Sequence, residues 1–406
     1  MIKQPTVRSD GLSGYLSRDG RKGIRNVIVI AYLVECARFV ADEIASSFKG
    51  SPVHVIGFGG CYPNQHADKV MNALCTHPNV AAVLLLSLGC ESFNKVRIEK
   101  NIAASGRPVK TITLQQEGGT RVSILQGKEW IEKIVRQVED QPKVPMAMEE
   151  LIIGTVCGGS DASSGITANP AVGKLFDRLV SAGCAVMFEE TGEMIGLENH
   201  MASRAASDEL GNELYKAVVK AAKYYTIMGH GSFAPGNADG GLSTIEEKSV
   251  GAYSKSGHSS ISGLLRPGDI PRQGGLYLLD VVPDGEPRYG FPNINDNAEI
   301  SELISCGCHI ILFTTGRGSV VGSAISPVIK ICANPETYRR MQDDMDINAG
   351  RILSEASSLD AVAGEILEKI VETANGKPTC SEALGHREFV LGYKNFEPSG
   401  PSCLPG

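Results

Sequence analysis

Apolar residues along this chain fall into short unbroken runs, and the segments between them repeat their apolar positions every three to four residues. From about residue 24 to 140 the runs VIVIAYL, PVHVIGF, AAVLLLSL and PVKTITL alternate with ARFVADEIASSF, ADKVMNALCTH, FNKVRIEKNIAAS and GTRVSILQGKEWIEKIVRQVED. Runs of this length read as strands buried on both faces, and the 3.6-residue period between them as amphipathic helices. Strand and helix in alternation form the βαβ pattern of a parallel sheet. The segment DQPKVPMAMEE, with its prolines and charges, reads as a linker or long crossover.

A second unit opens with LIIGTVCGGSDASSGITANPAVGKLFDRLVSAG, which reads as strand, glycine-rich loop and helix, and CAVMFEETGE supplies the next strand and its exit loop. A helical stretch is expected from Glu198 to Tyr225, followed by a long glycine-rich polar region from Gly229 to Leu265. A loop of that length inside a compact domain is expected to be functional. The last third predicts strands GLYLLDVV and CHIILFTTG around the helix AEISELISCG, then the helix LDAVAGEILEKIVETANG and a Pro/Gly-rich tail. The predicted class is α/β. A Rossmann-like first domain (1–145) precedes an α/β catalytic domain (146–406), with the site at the carboxyl ends of strands between them.

The 406 residues carry a formal net charge of −7 and a pI near 5.7, which excludes a global basic field for nucleic acid. No apolar run reaches the roughly 20 residues that span a bilayer, and the start lacks the apolar core of a signal peptide, so a cytoplasmic protein is expected. Eleven cysteines, scattered along the chain, argue for buried thiols, metal ligands or reactive groups over a disulfide framework.

Cys61, Cys90 and Cys157 each follow an apolar run, in GGCYPN, LGCES and CGGSD; Cys36 does so less clearly. Residues at the carboxyl ends of parallel strands converge although distant in sequence. Three thiolates could hold a divalent iron or zinc, or an iron–sulfur cluster; packed structural thiols would give the same pattern. The FEETGEMIGLENH segment gathers Glu189, Glu190, Glu193, Glu198 and His200 after a strand, which suits a general base, a metal shell or a helix entrance. TTGRGS (314–319) offers hydroxyls, amides and Arg317 to an anionic group, and CGGSDASSG (157–165) leads into a helix start, where free amides favour anions. GFGG lacks the full dinucleotide fingerprint, which disfavours a nicotinamide oxidoreductase. CGCH (306–309) lies at a helix-to-strand transition and reads as packing.

Taken together, LGCE, EGGTR, CGGSDASSGITANPA, FEETGE, SFAPGNADGGLSTIEEKS, FTTGRGS and SPVIKICANPETY resemble the altronate/galactarate dehydratase family of lyases, from Gly14 to Leu353. Members usually carry a small domain ahead of this region, fused or as a separate subunit. The resemblance therefore implies the large subunit of a two-component enzyme, with a small β-rich partner and an oligomeric assembly. A narrower likeness, in YLVECA, CTHPNV and YYTIMGHGSFAPGNADGG, points to members that expel sulfite from a sulfonated acid.

The implied reaction is metal-assisted β-elimination from a small anionic 2-hydroxy acid. It loses either sulfite, giving pyruvate, or hydroxide, giving a 2-keto-3-deoxy acid. A metabolite sensor on the same fold is the non-catalytic alternative, and it predicts tight binding without turnover. The resemblance implies a metal, divalent iron or an iron–sulfur cluster, at Cys61, Cys90 and Cys157, with Glu190 and Glu193 beside it and His200 as base. Substrate contacts are expected from Arg25, Asn26, Ser160, Asp161, Asn237, Lys248, Thr314, Thr315, Gly316, Arg317 and Gly318. Asn199 separates Glu198 from His200, where the family pattern usually sets a His directly after the Glu, and His230 also departs from that pattern.

Overall fold

A computed structural model describes residues 11–229, 232–284 and 294–394. His230, the GEPRYGFPN stretch from residue 285 to 293 and the chain start lie outside the described residues. Seven strands occupy the first part: β1 (Leu12–Leu16), β2 (Lys22–Gly23), β3 (Val27–Tyr32), β4 (Val53–Gly57), β5 (Val80–Ser87), β6 (Val109–Thr113) and β7 (Lys143–Met146). Seven more follow: β8 (Ile152–Cys157), β9 (Ala185–Phe188), β10 (Ile261–Leu265), β11 (Gly275–Leu279), β12 (Ile310–Thr315), β13 (Val328–Cys332) and β14 (Ile347–Asn348).

The protein is α/β, built on two parallel sheets. One has four strands in the order β4-β3-β5-β6, and the other has seven in the order β10-β11-β9-β8-β12-β13-β14. Alternation along each strand sorts side chains into layers. Ile28 and Ile30 of β3 face an outer layer with Ile44 and Ile131 from the helices Arg38–Ala45 and Thr120–Glu139. Val27, Val29 and Ala31 face a layer shared by both sheets, which holds Val70 and Met71 of Gln65–Cys75, Leu303 of Asp296–Ser305, and Val156 and Phe313 of the larger sheet. Beyond the larger sheet, Ile153 and Leu312 pack on Leu175 and Phe176 of Ala168–Ser181 and on Ile366 of Leu359–Ala374. Each fully buried aliphatic side chain contributes about 1.5–3 kcal/mol.

The expected linker forms strand β7, which pairs antiparallel with β1 (Leu12 opposite Met146) in a three-stranded sheet, β2-β1-β7. Pro145 suits this short pairing because β7 is the edge of that sheet, where a residue without an N–H donor is tolerated. The expected single helix after residue 198 is two, Glu198–Ser203 and Asp208–Met228, because the Ser207 side chain accepts from Leu210 N and caps the second. The expected long loop contains the helices Pro235–Asp239 and Ile245–Tyr253 and strand β10. Thr244 caps the second of these helices by accepting from Glu247 N.

Candidate active site

Strand β8 lies between β9 and β12, with Thr314 of β12 in register with Cys157. The chain leaves β8 for β9 on one side and returns later as β12 on the other. The carboxyl end of β8 is therefore a topological switch point, where parallel sheets open a crevice for ligands. The glycines after Cys157 keep this crevice tight. A Cβ on Gly158 would stand 2.1 Å from Asp296 Oδ2, and Gly159 adopts φ +62. Glu190, just beyond β9, holds φ +74, an uncommon left-handed conformation for a residue with a side chain.

Here Cys157 donates its thiol to Glu193 Oε2 at 2.9 Å, and Cys157 N donates to Glu190 Oε2 at 3.0 Å. Lys255 is fully buried; its Nζ lies 3.3 Å from Cys157 Sγ and 3.8 Å from Glu193 Oε2, and it ion-pairs with Glu190. Lys248 Nζ pairs with Glu193 Oε1 at 2.6 Å, and Ser160 Oγ is 3.7 Å from Cys157 Sγ. Burial, reinforced by the Glu193 charge, pushes the Cys157 thiol up to about 12. Burial pulls the Lys248 ammonium down, but the Glu193 carboxylate outweighs it and holds Lys248 above its ordinary value. Lys255 reaches the cluster because helix Ala168–Ser181 approaches the Ser254–Ser256 turn closely at Gly173, where a Cβ would meet Ser254 O at 2.1 Å.

A second tier of carboxylates lies deeper. Glu189 and Glu299 are buried, and both are raised, first by desolvation: Glu189 further by Glu299, and Glu299, to about 8, further by Asp296. Asp296 rises to about 6 through burial and the Glu193 charge. Glu302, one helical turn past Glu299, is instead held below the carboxylate range: burial opposes this, and Lys394 (2.8 Å) and His66 (3.3 Å) overcome it. Lys394 arrives on the C-terminal tail, where Tyr393 stacks edge-on against Phe58 (5.1 Å) beside Gly60. The tail thus joins the carboxyl edge of the smaller sheet to these carboxylates.

The expected residues divide by place. Ser160, Asp161, Asn237, Lys248, Thr314, Thr315, Gly316, Arg317 and Gly318 gather around the β8 and β12 ends. Asn237 Nδ2 donates to Ser160 O (3.4 Å), Arg317 Nη1 to Gly236 O (2.5 Å), Thr314 Oγ1 to Asn169 Oδ1 (2.6 Å) and Gly318 N to Thr315 Oγ1 (2.9 Å). Gly316 has no room for a side chain, since its Cβ would meet Asp161 Oδ1 at 2.1 Å. A cavity of about 190 Å³ opens beside the cluster, lined among others by Ser160, Asp161, Ser164, Asn169 and Lys248.

Other expected residues stand apart from the cluster. Cys61 and Cys90 are exposed on the loops after β4 and β5, in the smaller sheet. Arg25 is committed to Glu382 (2.7 Å) and the Thr373 carbonyl, and Asn26 to Val138 O and Gln141. His200 is exposed and packs edge-on against Tyr253 at 5.2 Å. Sequence reasoning missed Lys255, Glu299 and Asp296, and named Glu189 without giving it a role.

Among the described residues two donor sets lie within 4.8 Å of one another and could hold a metal ion: Cys157–Glu190–Glu193 and Glu189–Glu190–Glu299. The environment fits a divalent cation. Glu189 Oε1 is buried with no hydrogen-bond partner, and a cation would offset the mutual repulsion of these carboxylates.

Residues 148–396 match the family model of the D-galactarate/altronate dehydratase C-terminal domain, and residues 14–139 that of the D-galactarate dehydratase/altronate hydrolase second domain. The chain is 32% identical to the (2R)-sulfolactate sulfo-lyase subunit beta of Chromohalobacter salexigens, over 93% of this chain and 96% of that one. It is 30% identical to an altronate dehydratase of Escherichia coli, over 93% of this chain and 76% of the relative. Galactarate dehydratase (L-threo-forming) of the same organism is 29% identical over 95% and 77%. No helix among the described residues is long and apolar enough to cross a membrane.

Proposed function

The chain belongs to the D-galactarate/altronate dehydratase family, and from that premise we propose that it is a lyase that splits (2R)-3-sulfolactate into pyruvate and sulfite as the large subunit of a two-component cytoplasmic enzyme. The observation that supports this reading is the 32% identity to a sulfolactate sulfo-lyase subunit beta over 93% of this chain. The cluster at the end of β8 supplies what an elimination needs: carboxylates, two ammonium groups and a cavity at one switch point.

The C2 proton is removed, the C3–sulfur bond breaks with its electron pair leaving on sulfite, and the resulting enol takes a proton at C3 and releases its 2-hydroxyl proton to give pyruvate. Lys248 lines the cavity as an ammonium and receives the substrate carboxylate. In doing so it loosens its hold on Glu193, which takes the C2 proton. Arg317, the Thr315–Gly318 turn, Ser160 and Asn237 bind the second anionic group, with Arg giving the planar contact that sulfonate and carboxylate both accept. Asp161 and Thr314 brace the loop through Asn334 and Asn169. A divalent metal, proposed as iron, would be held by donors drawn from Cys157, Glu189, Glu190, Glu193 and Glu299, and when bound would stabilise the enolate charge as a Lewis acid. Every other group acts through hydrogen bonding and charge.

The second reading, a sugar-acid dehydratase, draws support from the hydroxyl and amide lining of the cavity (Ser160, Ser164, Asn169), which suits a polyol chain. The two separate in one experiment. The chain, co-expressed with its small companion and loaded with ferrous iron, is given sulfolactate, altronate and galactarate in turn. Equal amounts of sulfite and pyruvate from sulfolactate are expected. A 2-keto-3-deoxy product from either sugar acid, with sulfolactate untouched, would overturn the sulfo-lyase reading.

A further inference from the structure

We infer that the cation of this site is held by the all-oxygen triad Glu189–Glu190–Glu299 and not by the thiol of Cys157. The inference rests on the metal-assisted reading above and gives it a specific set of ligands. It follows from where positive charge already is. Four buried carboxylates, Glu189, Glu190, Glu193 and Glu299, share the end of β8 and β9 with two lysines. Lys248 pairs with Glu193, and Lys255 pairs with Glu190 while touching Cys157 Sγ at 3.3 Å. The Cys157–Glu190–Glu193 set is therefore already served by two ammonium groups, which a divalent ion placed there would meet together, whereas the triad shares only Glu190 with that set and so meets only Lys255.

Glu189 and Glu299 have no such service: neither makes an ion pair within 4 Å among the described residues. Lys394, whose charge also acts on Glu299, is spent on Glu302 at 2.8 Å. Glu189 is fully buried, its Oε2 accepts from Glu190 N, and its Oε1 has no hydrogen-bond partner among the described residues. A buried carboxylate oxygen with neither donor nor counter-charge is costly unless a cation completes it. One oxygen of each triad member lies within 4.8 Å of the other two, close enough to share one ion. Glu190, at φ +74, belongs to both donor sets, and its Oε2 accepts from Cys157 N and pairs with Lys255. Hard carboxylate donors select magnesium, manganese or ferrous iron over thiophilic ions. Cys157 is then left as a thiol that Glu193 accepts from and Lys255 faces, a positioning contact for the base.

The test is manganese binding to chelator-stripped protein, read by the loss of the free-ion paramagnetic resonance signal and by metal content after gel filtration, in the wild type and in Glu189→Gln, Glu299→Gln, Cys157→Ser and Glu193→Gln. Thermal melts confirm that each variant is folded. One ion per chain is expected. The affinity should fall by more than about tenfold in Glu189→Gln and in Glu299→Gln, as loss of a ligand should exceed the roughly 10–100-fold cost of losing an outer partner. It should stay within about threefold in Cys157→Ser. The same ion lost from Cys157→Ser and kept in Glu299→Gln would overturn the triad and leave the metal-assisted reading standing. No manganese or iron bound by the wild type, with full turnover in chelator, would overturn both.

Discussion

Replacing Lys255 by methionine removes the one ammonium that lies wholly inside the cluster. Methionine keeps most of the aliphatic stem and its packing, so the loss is mainly of charge. Lys255 is 0% exposed and Glu190 is 7% exposed, so the stranded Glu190 carboxylate gains little from water. It also keeps Glu189 beside it in sequence and within the same donor set. Breaking a buried pair by removing one partner costs about 3–5 kcal/mol. At about 2 °C per kcal/mol for a large domain, the melting temperature should fall by roughly 6–10 °C. Replacing both partners, as in the double variant Lys255→Met with Glu190→Gln, leaves no stranded charge and should recover much of the loss. A double-mutant cycle by urea unfolding, in chelator so that metal affinity does not enter, is expected to give a coupling above about 1 kcal/mol. A single variant that loses less than about 1 kcal/mol, or a double variant that is merely the sum of the singles, would refute the view that Lys255 neutralises this site.

Three further outcomes follow from the same geometry. The native state holds the Glu299 proton up to about 8 while the unfolded chain releases it near 4.5, so between these values the native state binds more protons. The stability this contributes is complete below the window and is lost as pH rises through it, by up to about 1.4 kcal/mol per pH unit; urea midpoints in chelator should fall accordingly, and Glu299→Gln should flatten the slope. Gly173→Ala drives a methyl against the Ser254 carbonyl at 2.1 Å and should cost about 1–3 kcal/mol while lowering turnover through a displaced Lys255; unchanged unfolding would disprove the close approach. His200→Ala, at an exposed ring on Tyr253, should keep turnover within about twofold, whereas a loss of a hundredfold or more would reinstate His200 as the base.

Much of the architecture was legible because parallel strands buried on both faces leave an unmistakable mark. VIVIAYL, AAVLLLSL and CHIILFTTG became β3, β5 and β12 within a residue or two. The failures share a cause as well. Lys143–Met146 is a strand because Leu12–Leu16 lies opposite it, a partner more than a hundred residues away that no local window reveals. The segment from Gly229 to Leu265 reads as loop on composition, yet Thr244 and a tertiary surface are enough to hold Ile245–Tyr253 helical. Propensity is a weak prior where packing decides.

The site shows the same limit at finer grain. A cysteine after an apolar run marks the carboxyl end of a strand, but every strand of every parallel sheet has such an end. Cys157 lies at the switch point of the seven-strand sheet, while Cys61 and Cys90 edge the four-strand sheet and remain exposed. Strand-end reasoning has no means of sorting one sheet from another. Glu190 and Glu193 were found because they follow β9 directly. Lys255 was not, because lysine is almost never buried unless paired and AYSKSGHSS carries every sign of a turn. Glu299 was hidden for the opposite reason: AEISELISCG reads as an ordinary amphipathic helix with its acids in water, yet all ten residues from Asp296 to Ser305 except Asp296 and Asn297 are buried. An acid on a helix buried all round must meet a cation, a proton or a donor, and the helix alone does not say which. That choice is made by the lysines. Where Lys248 and Lys255 reach, Glu193 and Glu190 are paired; Glu189 and Glu299, which make no ion pair within 4 Å among the described residues, lie with Glu190 in a donor set that could hold a cation.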